Sequence, residues 1–164
     1  MPEATEGEDG ELDLPPAHGM DAPGPRADEA ELRSIADLLR VAGLRPTRQR
    51  LALGALLFDG GDRHVTAEQL HGTALDRMIP VSLATVYNTL HQFTTAGLLR
   101  EVVVEPGRSY FDTNTSDHHH FYVEGQGHLL DIPGSNVTVG DLPLPPDGMS
   151  VSRVEVIIRL TPKA

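Results

Sequence analysis

Three consecutive histidines stand in the run Asp117-His118-His119-His120-Phe121-Tyr122-Val123. The aromatic and β-branched residues that follow them favour a strand. Strand side chains alternate faces, so His118 and His120 point one way and His119 the other. Two imidazoles on one face, about 7 Å apart along the strand, can converge on a metal ion when other elements supply further ligands. Taken alone, the pair is equally well read as a polar strand edge or a solvated loop. Cysteine is absent from all 164 residues, which excludes disulfides, thiolate zinc sites and cysteine nucleophiles.

The net charge of −11 is unevenly spread. Residues 1–31 carry ten acids against one base, a net of −9; residues 32–100 carry eight arginines against five acids, a net of +3; residues 101–164 carry a net of −5. A mildly basic middle thus lies between two acidic parts, and such asymmetry says more about partners than the total does. Residues 1–27 are rich in Glu, Asp, Gly and Pro. They hold too little apolar surface to offset the entropy of ordering, and a disordered, solubilising acidic tail is expected. There is no apolar run of about 18 residues, so no membrane span is expected. The N-terminus lacks the basic and apolar regions of a secretory signal, so a cytoplasmic protein is expected.

These residues need a scaffold, and the chain signals one. From Asp28, Leu32, Ile35, Leu38 and Leu39 share a helical face that stops at Gly43. Thr47 can cap a second helix through Leu51, Leu53, Ala55 and Leu56. Thr66 and Gln69 have the spacing of a capping box for a third helix. Ser82 can cap a fourth, with Leu83, Val86, Leu90 and Phe93 inward and a stop at Gly97. The short Ile79-Pro80-Val81 break between helices three and four suits a helix-turn-helix. The outer face of the fourth helix would carry Ala84, Thr85, Tyr87, Asn88 and His91, with no acid among them, as a major groove requires. Leu98–Glu105, a Pro106-Gly107 turn and Arg108–Asp112 read as a β-hairpin, the wing of a winged helix. Arg45, Arg48, Arg50 and Arg100 are candidates for phosphate contact. Beyond the wing, strands are expected over His119–Glu124, His128–Ile132 and Val151–Leu160, with 133–149 a loop or short irregular element. Three strands alone are marginal; burying one face against a second copy predicts a homodimer. His18 is read as idle, His71 as solvated, and His128 as an auxiliary ligand or a surface residue.

Read together, Leu44-Arg-Pro-Thr-Arg-Gln-Arg50, His64-Val-Thr-Ala-Glu-Gln-Leu70 and Ala84-Thr-Val-Tyr-Asn-Thr-Leu90 with Gly97-Leu98 resemble the ferric uptake regulator family. Asp117–Gly125, Leu130-Asp-Ile-Pro133, Pro145-Pro-Asp-Gly-Met149 and the terminal Val-Ile-Ile-Arg-Leu160 are similar to its iron response regulator branch. The resemblance covers roughly residues 29–160. It implies an α+β chain: a winged helix-turn-helix DNA-binding domain over 28–112, then a small α/β dimerisation and metal- or haem-sensing domain over 113–164. It implies one divalent metal ion per subunit, iron, manganese or zinc, held by His64, Asp112, His118, His120 and Asp131. Two carboxylates and three imidazoles suit those ions better than copper(I). A metal bridging the two halves would fix the angle between them. DNA contacts are expected from Arg48, Arg50, Thr85, Tyr87 and Asn88. The branch also implies haem sensing, with an axial imidazole from His118, His119 or His120.

The chain departs from the family in one respect: the structural zinc that many members hold with two Cys-x-x-Cys pairs has no ligands here. The expected function is a sequence-specific DNA-binding regulator of iron or haem homeostasis without enzymatic activity, bound to double-stranded DNA and not to membranes. The family is usually activated by metal and the branch active when iron is scarce; the branch behaviour is expected. A manganese- or zinc-responsive repressor of the same family is the alternative. From other classes come a small zinc metalloenzyme and a metal-buffering protein. Against the enzyme stands the absence of an HExxH motif or a nucleophile elbow.

Overall fold

The computed structural model describes residues 29–163. The acidic tail 1–27, with His18, lies outside the described residues. Four helices come first: α1 (Glu29–Val41), α2 (Arg48–Phe58), α3 (Ala67–Asp76) and α4 (Leu83–Thr95). A two-residue strand, β1 (His64–Val65), lies between α2 and α3. The wing follows as β2 (Arg100–Glu105) and β3 (Arg108–Asp112), then β4 (His118–Val123), β5 (His128–Pro133) and β6 (Ile157–Leu160).

The local signals act as read. The hydroxyl of Thr47 accepts from Arg50 N, that of Ser82 from Thr85 N, and Thr66 and Gln69 complete a reciprocal capping box. Gly43 and Gly97 end α1 and α4 at φ +78 each, a conformation that costs glycine little. α2 is buried almost all round, from Leu53 through Leu57, and forms the axis on which the other helices pack. Gly54 lets α1 come close: a Cβ there would stand 2.8 Å from Ile35 Cγ2. Leu39, Leu53, Leu57, Leu70, Val86 and Phe93 make up much of this first core, which Val65 of β1 and Phe111 of β3 close from below.

Two three-stranded sheets follow, ordered β1-β3-β2 and β5-β4-β6. The first is antiparallel throughout; in the second, β4 pairs antiparallel with β5 and parallel with β6. A second core spans the two sheets. Val102, Val104 and Tyr110 of the wing pack with Tyr122, Leu129 and Ile157.

The last strand is shorter than expected, starting at Ile157 rather than Val151. The register gives the reason. His120 stands opposite Ile157 in a parallel pair, so Val154 would fall opposite Asp117, before β4 begins. Residues 151–154 have no strand to pair with, and the 137–156 connection contains no helix or strand apart from its end at β6. Among the described residues, no helix is long and apolar enough to cross a membrane.

Candidate metal centre

The registers of the two sheets decide which side chains meet. His64 of β1 and Arg100 of β2 both stand opposite Asp112 at the end of β3. Directly opposed residues share a sheet face. In the second sheet His120 stands opposite Asp131, and His118 lies two residues back on the same face. The two rows point at each other.

They converge closely. His64, Asp112, His118, His120 and Asp131 each offer one ligand atom, and all five atoms lie within 4.8 Å of one another. Nε2 of His64 is 2.7 Å from Asp131 Oδ1 and 3.3 Å from Asp112 Oδ2. Nε2 of His118 is 2.9 Å from Asp112 Oδ2 and 2.9 Å from Nε2 of His120. Nε2 of His120 is 3.1 Å from Asp112 Oδ2 and 3.5 Å from Asp131 Oδ1. With metal–ligand bonds of about 2.1 Å, neighbouring ligands of one ion stand about 3 Å apart, which is the spacing seen.

Three observations show that these residues fit a divalent ion. Nε2 of His64 is buried and packs directly against carboxylate oxygens of Asp131 and Asp112, among the other ligand atoms. The Nδ1 of His118 donates to the carbonyl of Ser116 at 2.8 Å, which leaves its Nε2 lone pair facing the cluster. Three imidazoles and two carboxylates form a hard-to-borderline donor set for iron(II), manganese(II) or zinc. The chain supplies no thiolate.

The electrostatics agree. Burial would push the pKa of His64 down, but the Asp112 and Asp131 carboxylates outweigh it and raise it to about 9. Burial would raise that of Asp112; its contacts with His120 and His64 hold it well below the usual carboxylate range. Asp131 is lowered in the same way, against its own burial, chiefly by His64. The carboxylates are ready-made anions, and in the metal-free protein a proton on His64 partly neutralises them.

The other histidines sit elsewhere. His119 is on the opposite face, where its Nδ1 accepts from Val156 N at 3.2 Å. His128 stands opposite Val123, on the face away from the cluster. His71 is not solvated: it is half-buried, and its Nε2 lies 3.0 Å from the carbonyl of Val81. Arg100 is likewise not free for phosphates. It is 4% exposed, pairs with Glu155 at 2.7 Å, and reaches the carbonyls of Ser116 and His118. Sequence reading missed Arg100 and Glu155 because their signal is a long-range pairing 55 residues apart.

On the helical side, Arg48 and Asn88 are exposed and Thr85 is half-buried. Arg50 spans α2 and α4, bonding Gln92 Oε1 at 2.9 and 3.1 Å and the carbonyl of Arg45 at 2.8 Å. Tyr87 is half-buried at the rim of the first core and donates its hydroxyl to Glu68 at 2.7 Å.

The ferric uptake regulator family model matches residues 41–139. The peroxide-responsive repressor PerR of Staphylococcus epidermidis is 34% identical over 102 residues, 62% of this chain and 67% of that protein. The peroxide operon regulator of Bacillus subtilis is 35% identical over 102 residues, 62% and 70% of the two chains. The ferric uptake regulator of Pseudomonas aeruginosa with manganese superposes with a TM-score of 0.60 at 22% identity, covering 79% of this chain and 98% of that one. A zinc-bound manganese uptake regulator superposes with a TM-score of 0.56 at 21% identity, covering 80% and 98%. Both likenesses are in fold. With a matched segment that takes in α2 to α4, the wing, β4 and β5, the chain belongs to the ferric uptake regulator family of metal-responsive DNA-binding regulators.

Proposed function

We propose that this protein is a homodimeric transcriptional repressor of iron homeostasis, of the iron response regulator branch, switched by one divalent metal ion per subunit. The observation that carries the reading is the convergence of five donor atoms from two separate sheets. His64 and Asp112 belong to the half we assign to DNA binding, residues 28–112; His118, His120 and Asp131 belong to the half we assign to dimerisation and sensing, 113–164. An ion held between them has more contacts in this arrangement than in any that separates the sheets, so it shifts the population towards it. Arg48, Arg50, Thr85, Tyr87 and Asn88 are the proposed DNA contacts, with Arg50 and Tyr87 exchanging their present partners for DNA.

An inorganic ion is favoured over haem. His118 and His120 are 4% and 0% exposed, inside the cluster, with no open face for a macrocycle. Because His119 Nδ1 accepts a backbone N–H, its neutral ring keeps the proton on Nε2, the nitrogen an axial ligand would need. A second reading, peroxide response, is favoured by relatives named for it.

The test is selection of duplexes from a random library, with and without manganese(II), followed by affinity measurement over a salt series. Enrichment of a two-fold symmetric site in one metal state, with affinity falling steeply with salt, is expected, in the metal-poor state if the branch behaviour holds. No enrichment in either state would sink the regulator reading. Loss of DNA control after peroxide treatment of the iron(II)-loaded protein, with the manganese(II) form unaffected, would move peroxide response to first place.

A further inference from the structure

The far ring nitrogen of one of these ligands is enclosed and has no hydrogen-bond partner. His120 is 0% exposed, and its Nδ1 makes no hydrogen bond. That atom lies 3.6 Å from Oε1 of Glu155. Glu155 stands at the end of the 137–156 connection, two residues before β6. The same carboxylate accepts from Arg100 Nη2 at 2.7 Å. Arg100 Nη1 in turn reaches the carbonyls of Ser116 and His118 at 3.3 and 3.4 Å.

We infer that Glu155 is a positioning residue of the metal centre: it accepts a hydrogen bond from Nδ1–H of His120 so that Nε2 presents its lone pair to the ion, while Arg100 holds Glu155 and the His118 segment in place. The inference rests on the metal-responsive reading and names how that site is tuned. A neutral imidazole carries one proton. To ligate through Nε2 it must carry that proton on Nδ1, and a buried N–H with no acceptor is costly. A carboxylate acceptor removes the cost and makes the other nitrogen a better donor. His118 has a neutral carbonyl, that of Ser116, in this place; His120 has Glu155. The long connection before β6 thereby acquires a task, because it delivers this carboxylate. Arg100 lies in β2, so the arrangement ties the wing strand to the ligand strand without itself touching the ion.

The experiment uses the full chain with Glu155→Ala and Glu155→Gln. The Glu155 side chain is 28% exposed, while Arg100, which loses its counter-ion in both variants, keeps the Ser116 and His118 carbonyls; circular dichroism and melting of the metal-free forms check that each variant is folded. Zinc affinity is measured by competition with a chromophoric chelator, and the imidazole N–H protons of the zinc-loaded protein are followed by NMR. Glu155→Ala should weaken zinc by about 10- to 100-fold and abolish an exchange-protected Nδ1–H resonance of His120. Glu155→Gln, which keeps an acceptor without the charge, should lose less affinity and retain the resonance at a shifted position. A merely structural role would not remove that one resonance from a folded protein. Zinc affinity of Glu155→Ala within twofold of wild type, or a persisting resonance, overturns the inference. Glu155→Gln at wild-type affinity with an unshifted resonance does so by itself. Failure of the wild type to bind zinc is a different outcome and overturns the metal-responsive reading as well.

Discussion

His64 is where burial and charge contend most openly. Its pKa is raised to about 9 by two carboxylates, in spite of burial. A raised histidine stabilises the folded state fully below its unfolded value of about 6.5, and this is lost as pH rises through the folded value. Asp112 and Asp131 are lowered, so their contribution is present above about pH 4 and lost as pH falls. The metal-free protein should therefore be most stable from about pH 4 to 6.5 and lose a few kcal/mol, on the order of 3, by about pH 9. Urea midpoints measured at pH 6 and 9 test this; a flat profile contradicts it, and His64→Gln should flatten it. Metal takes the place of the proton, so titrating zinc into weakly buffered protein at pH 7.5 should release protons.

At the scale of elements, the turn between α3 and α4 decides how α4 is presented. Ser82 caps α4, and His71 of α3 holds the Val81 carbonyl just before it. Ser82→Ala should cost about 1 kcal/mol. His71→Ala should cost about 1–3 kcal/mol, because the Val81 carbonyl loses its partner. As the two act on one turn, the double variant should depart from the sum of the singles; strict additivity in urea unfolding would show that the turn is not held as a unit. α1 and α2 meet at Gly54, where Gly54→Val should destabilise by about 1–3 kcal/mol through overpacking against Ile35. An unchanged melting temperature would show that α1 shifts freely.

For the whole molecule, an ion held by the five residues would not be the only connection between the halves. Tyr122 of β4 donates to Glu105 at 2.9 Å and accepts from Arg108 at 3.1 Å, both in the wing. Arg159 lies over the Tyr122 ring and donates to the Val104 carbonyl. Tyr110 of the wing donates to the Gly127 carbonyl at 2.6 Å. The expectation that a metal fixes the angle between the halves is thus incomplete, since a second core and several polar contacts already join them. The metal-free protein should unfold in one transition; Tyr122→Ala, at a cost of about 3–5 kcal/mol, should separate it into two. Two transitions in the unsubstituted protein would mean that the ion is needed for the joint. The outer face of the second sheet carries Phe121, Leu130 and Ile158 in one row, half-buried or exposed. Phe121→Glu should shift sedimentation towards the monomer, and an unchanged dimer would move the interface elsewhere.

Much of this was legible because its causes are local. Caps at Thr47, Thr66 and Ser82, stops at Gly43 and Gly97, and the two-residue turn at Pro106-Gly107 act within a few residues, so helices and wing follow from spacing. The alternation that separates His118 and His120 from His119 is likewise a property of any strand. The five-residue donor set came from resemblance, not from spacing; only the registers of two sheets bring residues as far apart as His64 and Asp131 within 2.7 Å. The tertiary structure alone decided that Arg100 is buried and paired, that Glu155 faces His120, that His71 holds a turn, and that β6 begins only at Ile157. Each of these depends on which strand lies beside which, and pairing partners distant in sequence leave no periodic trace in the chain.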